Sequence, residues 1–182
     1  MKNFFLTIFL IVVFIGCKND NKSKKVEEIL IDKQEIKSTF DNNILVYLDV
    51  IVPNDDVFEL KYTVADNKSF SPKEKVSSNI VGSSDNQLVE FILPENILPT
   101  NLRLKIGENN TEGIIINSIK FSLGDSSFLI SKDRFFQFFI PNKFIEYNRK
   151  DYSFISKKIN DDFRPSFVSR SLLIERLEQK IY

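Results

Sequence analysis

Closely spaced carboxylates are the side chains of this sequence whose type and spacing could support chemistry. Asp55 and Asp56 are followed by Glu59, and Asp161 is followed by Asp162. Glycosidases place two carboxyl groups about 5–9 Å apart, which makes a carboxylate-based hydrolase acting on polysaccharide one hypothesis. The competing interpretation is structural, because neighbouring Asp residues in a turn commonly form Asx turns. We favour the structural interpretation and predict no catalytic residue.

The composition excludes several other kinds of site. The sequence has no His and one Cys, so the ordinary Ser and Cys triads and most catalytic zinc sites are ruled out. Asp-rich loops suit Ca²⁺, but no Asp-x-Asp-x-Asn-Gly run occurs. With 5 Gly in 182 residues, there is no phosphate loop, no Gly-x-Ser-x-Gly and no Gly-rich dinucleotide turn. We predict no metal and no cofactor.

Net charge and aromatic content point to a different class of ligand. The formal net charge is zero, and a nucleic-acid-binding protein usually has a basic excess, so we predict no nucleic-acid partner. Sugars bind to aromatic faces flanked by amides and charges, and the candidates, if exposed, are Tyr47, Phe70, Tyr147, Tyr152 and Phe163. The absence of Trp argues against a dedicated sugar binder. Arg103, on the solvent side of a predicted strand, is either a contact for an acidic ligand or a plain surface charge. The predicted ligand-binding set is Phe70, Arg103, Tyr147 and Tyr152.

Six short runs with alternating or β-branched apolar residues predict the strands that position these side chains. They cover 44–52, 57–64, 87–93, 102–106, 113–121 and 127–131, and Pro, Gly, Asn and Asp separate them. This pattern is typical of an antiparallel sandwich or barrel. The absence of long amphipathic helices between the runs argues against a doubly wound α/β sheet.

Three further segments are predicted from local patterns. In 132–140, Phe recurs at helical spacing before Pro141, so we predict a short helix that packs Phe into the core, with an aromatic ligand platform as the alternative. Residues 143–147 and 152–157 form a predicted hairpin. In 171–182, apolar residues four apart predict a terminal helix docked on its own domain or on a partner.

The polar segment 70–85 contains a spacing that has two interpretations. Ser71 and Glu74 have the spacing of a capping box, which could open one helical turn. A plain surface loop is the alternative. Long loops at the end of a sandwich are where binding commonly occurs.

The N-terminus carries a short apolar run that ends at the single Cys. Residues 4–15 are apolar apart from Thr7, and about a dozen helical residues span about 18 Å, less than a bilayer core of about 30 Å. Phe14-Ile15-Gly16-Cys17 resembles a lipobox of bacterial lipoproteins, and Lys18-Asn19-Asp20 is similar to the surface-export signal of Bacteroidota. The resemblance implies removal of a signal segment, 1–16, and lipidation of Cys17. Polar residues follow, so 17–37 is predicted to be a flexible tether.

The body of the chain resembles jelly-roll sandwiches, among them galactose-binding-like and carbohydrate-binding modules. The resemblance lies in the paired runs 102–107 and 114–120. The predicted fold is therefore all-β: a jelly-roll-like antiparallel β-sandwich, residues 38–182, with a short Phe-rich helix and a C-terminal helix.

The sequence predicts a noncatalytic lipoprotein anchored to a membrane of the cell envelope, the outer membrane, that binds a glycan or an envelope protein. The alternatives are a structural or assembly lipoprotein that docks a protein partner, and the polysaccharide hydrolase.

Overall fold

The computed structural model of the protein describes residues 42–64, 69–109 and 111–182. The predicted signal segment, the lipidation site at Cys17 and the tether lie outside these ranges. No helix within them is long and apolar enough to cross a bilayer.

The described residues form two antiparallel sheets, as predicted for an all-β sandwich. The strands in chain order are β1 (Leu45–Val52), β2 (Asp56–Val64), β3 (Lys75–Ile80), β4 (Ser83–Ile92), β5 (Pro99–Lys105), β6 (Ile114–Leu123), β7 (Ser126–Ser131), β8 (Phe139–Pro141), β9 (Ile145–Asn148), β10 (Ser153–Ser156) and β11 (Ser166–Ser169). Sheet A has the order β4-β1-β6-β10-β9, and β7 also pairs with β6. Sheet B has the order β3-β2-β5-β11-β8.

The chain crosses repeatedly between the two sheets, with strands on either side of β1 and β2. In sheet A, β1 pairs with β4 and β6, while in sheet B β2 pairs with β3 and β5. The connection from β3 to β4 and the connection from β5 to β6 therefore both cross from sheet B to sheet A, next to the connection from β1 to β2. Three crossing loops, which we call the crossing cluster, meet at this end of the sandwich: 53–55, 81–82 and 106–109.

Alternation along the strands separates an inner face from an outer face. In β1, Val46, Leu48, Val50 and Val52 are buried and the residues between them are half-buried. Because strand side chains alternate between faces, the apolar half of each strand packs between the sheets. The six predicted strands are confirmed, with ends that differ by a few residues.

The segment 70–85 contains a strand that the sequence analysis missed. Lys75–Ile80 forms the edge strand β3, and the preceding capping-box residues form no helix. Ser71 Oγ instead accepts a hydrogen bond from the backbone N–H of Lys73 at 3.2 Å, as in a turn. A polar sequence adopts this strand because β2 supplies its hydrogen bonds and one of its faces is open to solvent.

The Phe-rich segment is only partly helical. A 3₁₀ turn (Lys132–Arg134) leads into a single helical turn, α1 (Phe135–Phe138), and the chain then enters β8. The predicted helix over 132–140 is too long, because Ile140 pairs with Val168 of β11. The prediction that this segment packs Phe into the core is confirmed for Phe135, Phe138 and Phe139, which are buried.

The last two predicted elements are present. β9 and β10 form the predicted hairpin. The terminal helix α2 (Ser171–Lys180) buries Leu173 and Leu177, and Ile181 just beyond it is also buried. These three residues belong to the main hydrophobic core, so the apolar stripe of α2 docks on its own domain.

Candidate functional site

A cleft of about 560 Å³ opens where α1 meets the β9–β10 hairpin. Its lining residues are Phe136 from α1, Tyr147 from β9, and Arg149 and Tyr152 from the turn between β9 and β10. We call it the aromatic cleft. Three of its four lining side chains are aromatic, and the fourth is a guanidinium group.

The aromatic floor of the cleft continues into the core. The ring centroid of Tyr147 lies 4.7 Å from that of Phe136 and 5.1 Å from that of Phe154, its cross-strand partner on β10. Phe154 in turn packs edge-on against Phe167 at 4.9 Å. Burial raises the pKa of the Tyr147 hydroxyl, and nearby Tyr152 adds to the effect. The floor is thus a rigid surface, because the buried rings behind Tyr147 fix its position.

Hydrogen bonds fix the turn that carries Arg149 and Tyr152. Asn148 Oδ1 accepts from the backbone N–H of Lys150 at 3.1 Å, and Asn148 Nδ2 donates to Asp151 Oδ2 at 2.9 Å. Asp151 Oδ1 accepts from the backbone N–H of Ser153 at 2.9 Å. The hydrogen bond from Ser153 lowers the pKa of the Asp151 carboxyl. The local sequence therefore shapes the turn through its own Asn and Asp side chains.

Tyr152 adopts a backbone conformation that a bulky residue rarely takes. Its φ is +64°, in the left-handed region, where Gly, Asn and Asp are far more common. Lys132 Nζ lies 4.9 Å from the centre of the Tyr152 ring. Because such backbone strain clusters at functional sites, the conformation of Tyr152 makes this turn a candidate site.

Arg149 gives the cleft its charge. In the part of the chain that the structure describes, no carboxylate forms an ion pair with Arg149. The nearest acid in sequence, Asp151, accepts the two hydrogen bonds within the turn. The guanidinium group therefore remains able to bind an anionic or polar group of a ligand.

No protein-family model, curated protein or solved structure matches the chain. The functional interpretation therefore rests on the geometry of the sites.

The predicted ligand-binding residues fall into two pairs. Tyr147 and Tyr152 line the aromatic cleft together. Phe70 and Arg103 do not line it: Arg103 lies on β5 of sheet B, and its guanidinium carbon is 4.2 Å from the centre of the Phe70 ring. The two pairs, Tyr147 with Tyr152 and Phe70 with Arg103, therefore belong to different surfaces.

Arg103 combines partial burial with an incomplete hydrogen-bond set. Desolvation lowers the pKa of its guanidinium group, and its buried Nε atom has no hydrogen-bond partner. The neighbouring Phe70 covers the charged group with an apolar face. This contact is a cation–π interaction, which accounts for the position of both side chains without a ligand.

Two residues of the cleft were not predicted. The sequence places Phe136 in the core with the rest of the Phe run, whereas in the structure it is partly buried and lines the cleft. Phe136 directly follows Phe135, so it does not share the three-residue spacing of the buried Phe135 and Phe138. From the sequence, Arg149 is only a residue of the turn that connects the two strands of the predicted hairpin.

The Asp55-Asp56 pair holds the crossing cluster together. Asp55 Oδ1 accepts from the backbone N–H of Gly82 at 2.7 Å. Asp56 is buried, and its two oxygens accept from the N–H groups of Val57 at 2.8 Å and Asn109 at 3.1 Å. These contacts support the structural interpretation of the pair, since each carboxylate bonds to backbone.

The three remaining acidic candidates are Glu59 and Asp162, which form ion pairs, and Asp161, which lies in a turn. Glu59 binds Lys75, and Asp162 binds Arg164. Asp161 lies in a tight turn with φ of +60°, between the bridged residues Ile159 and Asp162. Among the described residues, no group of three or more potential ligands could hold a metal ion.

The two remaining aromatic candidates differ in exposure. Phe163 is buried, so it offers no face to a ligand. Tyr47 lies on the outer face of sheet A in a shallow groove of about 600 Å³, flanked by the exposed Leu88 and Leu129. Burial and a hydrogen bond to Glu90 raise the pKa of the Tyr47 hydroxyl.

Proposed function

We propose that the protein is a noncatalytic lipoprotein of the bacterial cell envelope whose β-sandwich binds a glycan in the aromatic cleft. One observation carries the proposal: Phe136, Tyr147 and Tyr152 line a single cleft together with the guanidinium group of Arg149. Sugar rings present flat C–H faces to aromatic side chains and hydroxyl groups to polar side chains. A fixed aromatic floor also keeps the entropic cost of binding low.

The described carboxylates give little support to the hydrolase alternative. Retaining and inverting glycosidases need two carboxyl groups that face one sugar. Asp55 and Asp56 bond to backbone at the crossing cluster, and the aromatic cleft is lined by no carboxylate. A binding role therefore fits the cleft better than a hydrolytic role.

The assembly alternative requires a face that docks a protein partner. The C-terminal helix was the candidate, but its residues Leu173 and Leu177 are buried in the core of the same domain. Docking through α2 would have to use its outer, charged face. Deletion of 171–182 would remove these buried residues from the core and destabilise the domain, so a test of docking needs substitutions on the outer face of α2 instead.

A glycan array probed with the purified full-length chain in detergent tests the proposal. Tyr147→Ala and Tyr152→Ala should abolish binding to any glycan that the wild-type protein retains. Tyr182→Ala is the matched control, because Tyr152 and Tyr182 are each 42% exposed and Tyr182 lies outside the cleft. Phe70→Ala tests whether the other predicted pair, Phe70 and Arg103, binds the glycan instead. Binding that is lost in Phe70→Ala and kept in the cleft variants would overturn the assignment.

The lipid anchor is proposed from the lipobox-like sequence at Cys17 and is tested separately. Several acyl chains together give stable anchoring that one chain cannot give. Cells grown with radiolabelled palmitate should yield labelled wild-type protein and unlabelled Cys17→Ser protein, with intact mass showing that residues 1–16 are removed. A native protein that keeps Met1 and carries no lipid would remove the envelope location from the proposal.

A further inference from the structure

We infer that the aromatic cleft selects an anionic sugar, that is, a ring bearing a carboxylate or a sulfate; this rests on the proposed glycan-binding function. The inference starts from Arg149, which is the one charged side chain among the described residues that line the cleft. A guanidinium group presents donors in a planar fork that matches a carboxylate or sulfate in a bidentate arrangement.

The surroundings of Arg149 leave its charge available for a ligand. The five ion pairs of the described residues do not include Arg149. Asp151, two residues away, has one oxygen bound to Asn148 Nδ2 and the other bound to the N–H of Ser153. Asp151 therefore shapes the turn and, among the described ion pairs, forms none with Arg149.

The second cation near the cleft is Lys132. Its Nζ lies 4.9 Å from the centre of the Tyr152 ring, so a positive charge lies close to this ring. The cleft is therefore lined by aromatic rings and one cation, Arg149, with no carboxylate, and a second cation, Lys132, lies near the Tyr152 ring. A neutral sugar would use the rings alone, whereas an anionic sugar would also use the charges.

The strain at Tyr152 supports a fixed binding geometry. A tyrosine at φ of +64° is retained in a turn whose hydrogen bonds come from the neighbouring Asn148, Asp151 and Ser153. The turn holds Arg149 and Tyr152 three residues apart on one rigid loop. Because the loop is ordered before binding, the ring face and the charge can act on the same sugar unit.

Isothermal titration of the purified full-length chain in detergent tests the inference with three probes. Tetragalacturonate carries carboxylates, its methyl ester is the neutral form of the same rings, and a sulfated tetragalactoside carries sulfates. The wild-type protein should bind at least one anionic probe about tenfold more tightly than the ester, because a charge-assisted bidentate contact is lost with the ester. Which anionic probe binds distinguishes carboxylate from sulfate.

Arg149→Gln and Arg176→Gln form the matched pair of variants. Arg149→Gln should lower the affinity for the anionic probe by about tenfold relative to the ester, so that the preference for the anionic probe is lost. Arg176→Gln should keep the preference, because Arg176 lies on the exposed side of α2 and bonds to Gln179. Equal affinity for acid and ester in the wild-type protein, with both lost in Tyr147→Ala, would overturn the inference and leave glycan binding intact. Binding of neutral glycans on the array, with no binding of these three probes, would likewise overturn the inference and leave glycan binding intact. Failure to bind any glycan would remove the proposed function as well.

Discussion

The backbone of Gly107 lies directly against the carboxylate of Asp56, so that a Cβ added at Gly107 would be 1.5 Å from Asp56 Oδ1. This contact joins the β5–β6 crossing to the first residue of β2. A side chain at position 107 would push the carboxylate away from its two backbone donors. The close approach therefore explains why Gly occupies position 107 in the crossing cluster.

Gly107→Ala and Asp56→Ala should each destabilise the domain, and their effects should not add. Each variant disturbs the hydrogen bonds that Asp56 accepts from Val57 and Asn109, at a cost of about 1–3 kcal/mol. In the Asp56→Ala background the overlap at position 107 is gone, so Gly107→Ala should cost less there, by at least about 0.5 kcal/mol. Urea denaturation of the four proteins measures the cycle. Additive effects would show that the overlap is relieved elsewhere.

Phe135→Ala should be among the more damaging substitutions in the core. Phe135 is 2% exposed and packs against Phe139 and Phe167, each at 5.0 Å between ring centroids. Removal of a buried Phe side chain leaves a cavity and costs about 3–5 kcal/mol. Phe70→Ala is the control of the same chemistry, and it should cost markedly less because Phe70 is only half-buried. Equal losses in the denaturation midpoint would contradict the central position of Phe135.

Glu59 should contribute a pH-dependent part of the stability. The hydrogen bond from Lys75, with added attraction from Lys105 and Lys61, lowers the pKa of Glu59 below 4.5 in the fold. A carboxyl group whose folded pKa is lowered stabilises the fold above its unfolded pKa, and the contribution is lost as pH falls through the folded pKa. The wild-type protein should therefore be more stable than Glu59→Gln at pH 7, with a difference that shrinks below pH 4.5.

Thermal unfolding of the wild-type protein and Glu59→Gln across this pH range, at low salt, measures the effect. In a Lys75→Met background the difference between Glu and Gln at position 59 should be smaller at pH 7, because the main partner is gone. A difference that stays constant from pH 7 to strongly acidic pH would contradict the assignment. High salt should also reduce it, since the pair is partly exposed.

Tyr152→Gly should separate stability from binding. Glycine adopts φ of +64° without the steric cost that Tyr pays, so the free energy of unfolding should stay unchanged or rise by up to about 1 kcal/mol. Glycan binding should be lost, because the ring that lines the cleft is removed. Tyr152→Phe is the control, as it keeps both the ring and the strained backbone. A large loss of stability in Tyr152→Gly would show that the ring supports the fold.

The sequence predicted the β-sandwich because apolar alternation has a physical cause that acts locally. In β2, Phe58, Leu60 and Tyr62 recur at every second position and are buried on the inner face. The edge strand β3 was missed because its mostly polar sequence has little apolar alternation. It forms a strand because it pairs with β2, which the rest of the sheet holds in place. The length of the Phe-rich helix was wrong for a similar reason, since pairing with β11 converts its end into a strand.

By itself the sequence determined that alternating segments form the strands of an all-β sandwich and that most of the Phe run packs into its core. The tertiary structure decided which side chains meet. Phe136 and Tyr147 come from different elements, and Phe70 and Arg103 form a contact on the other sheet. Strand alternation is a property of neighbouring residues, whereas the aromatic cleft depends on the register of β9 with β10 and on where α1 packs. Those are set by the sum of many distant contacts.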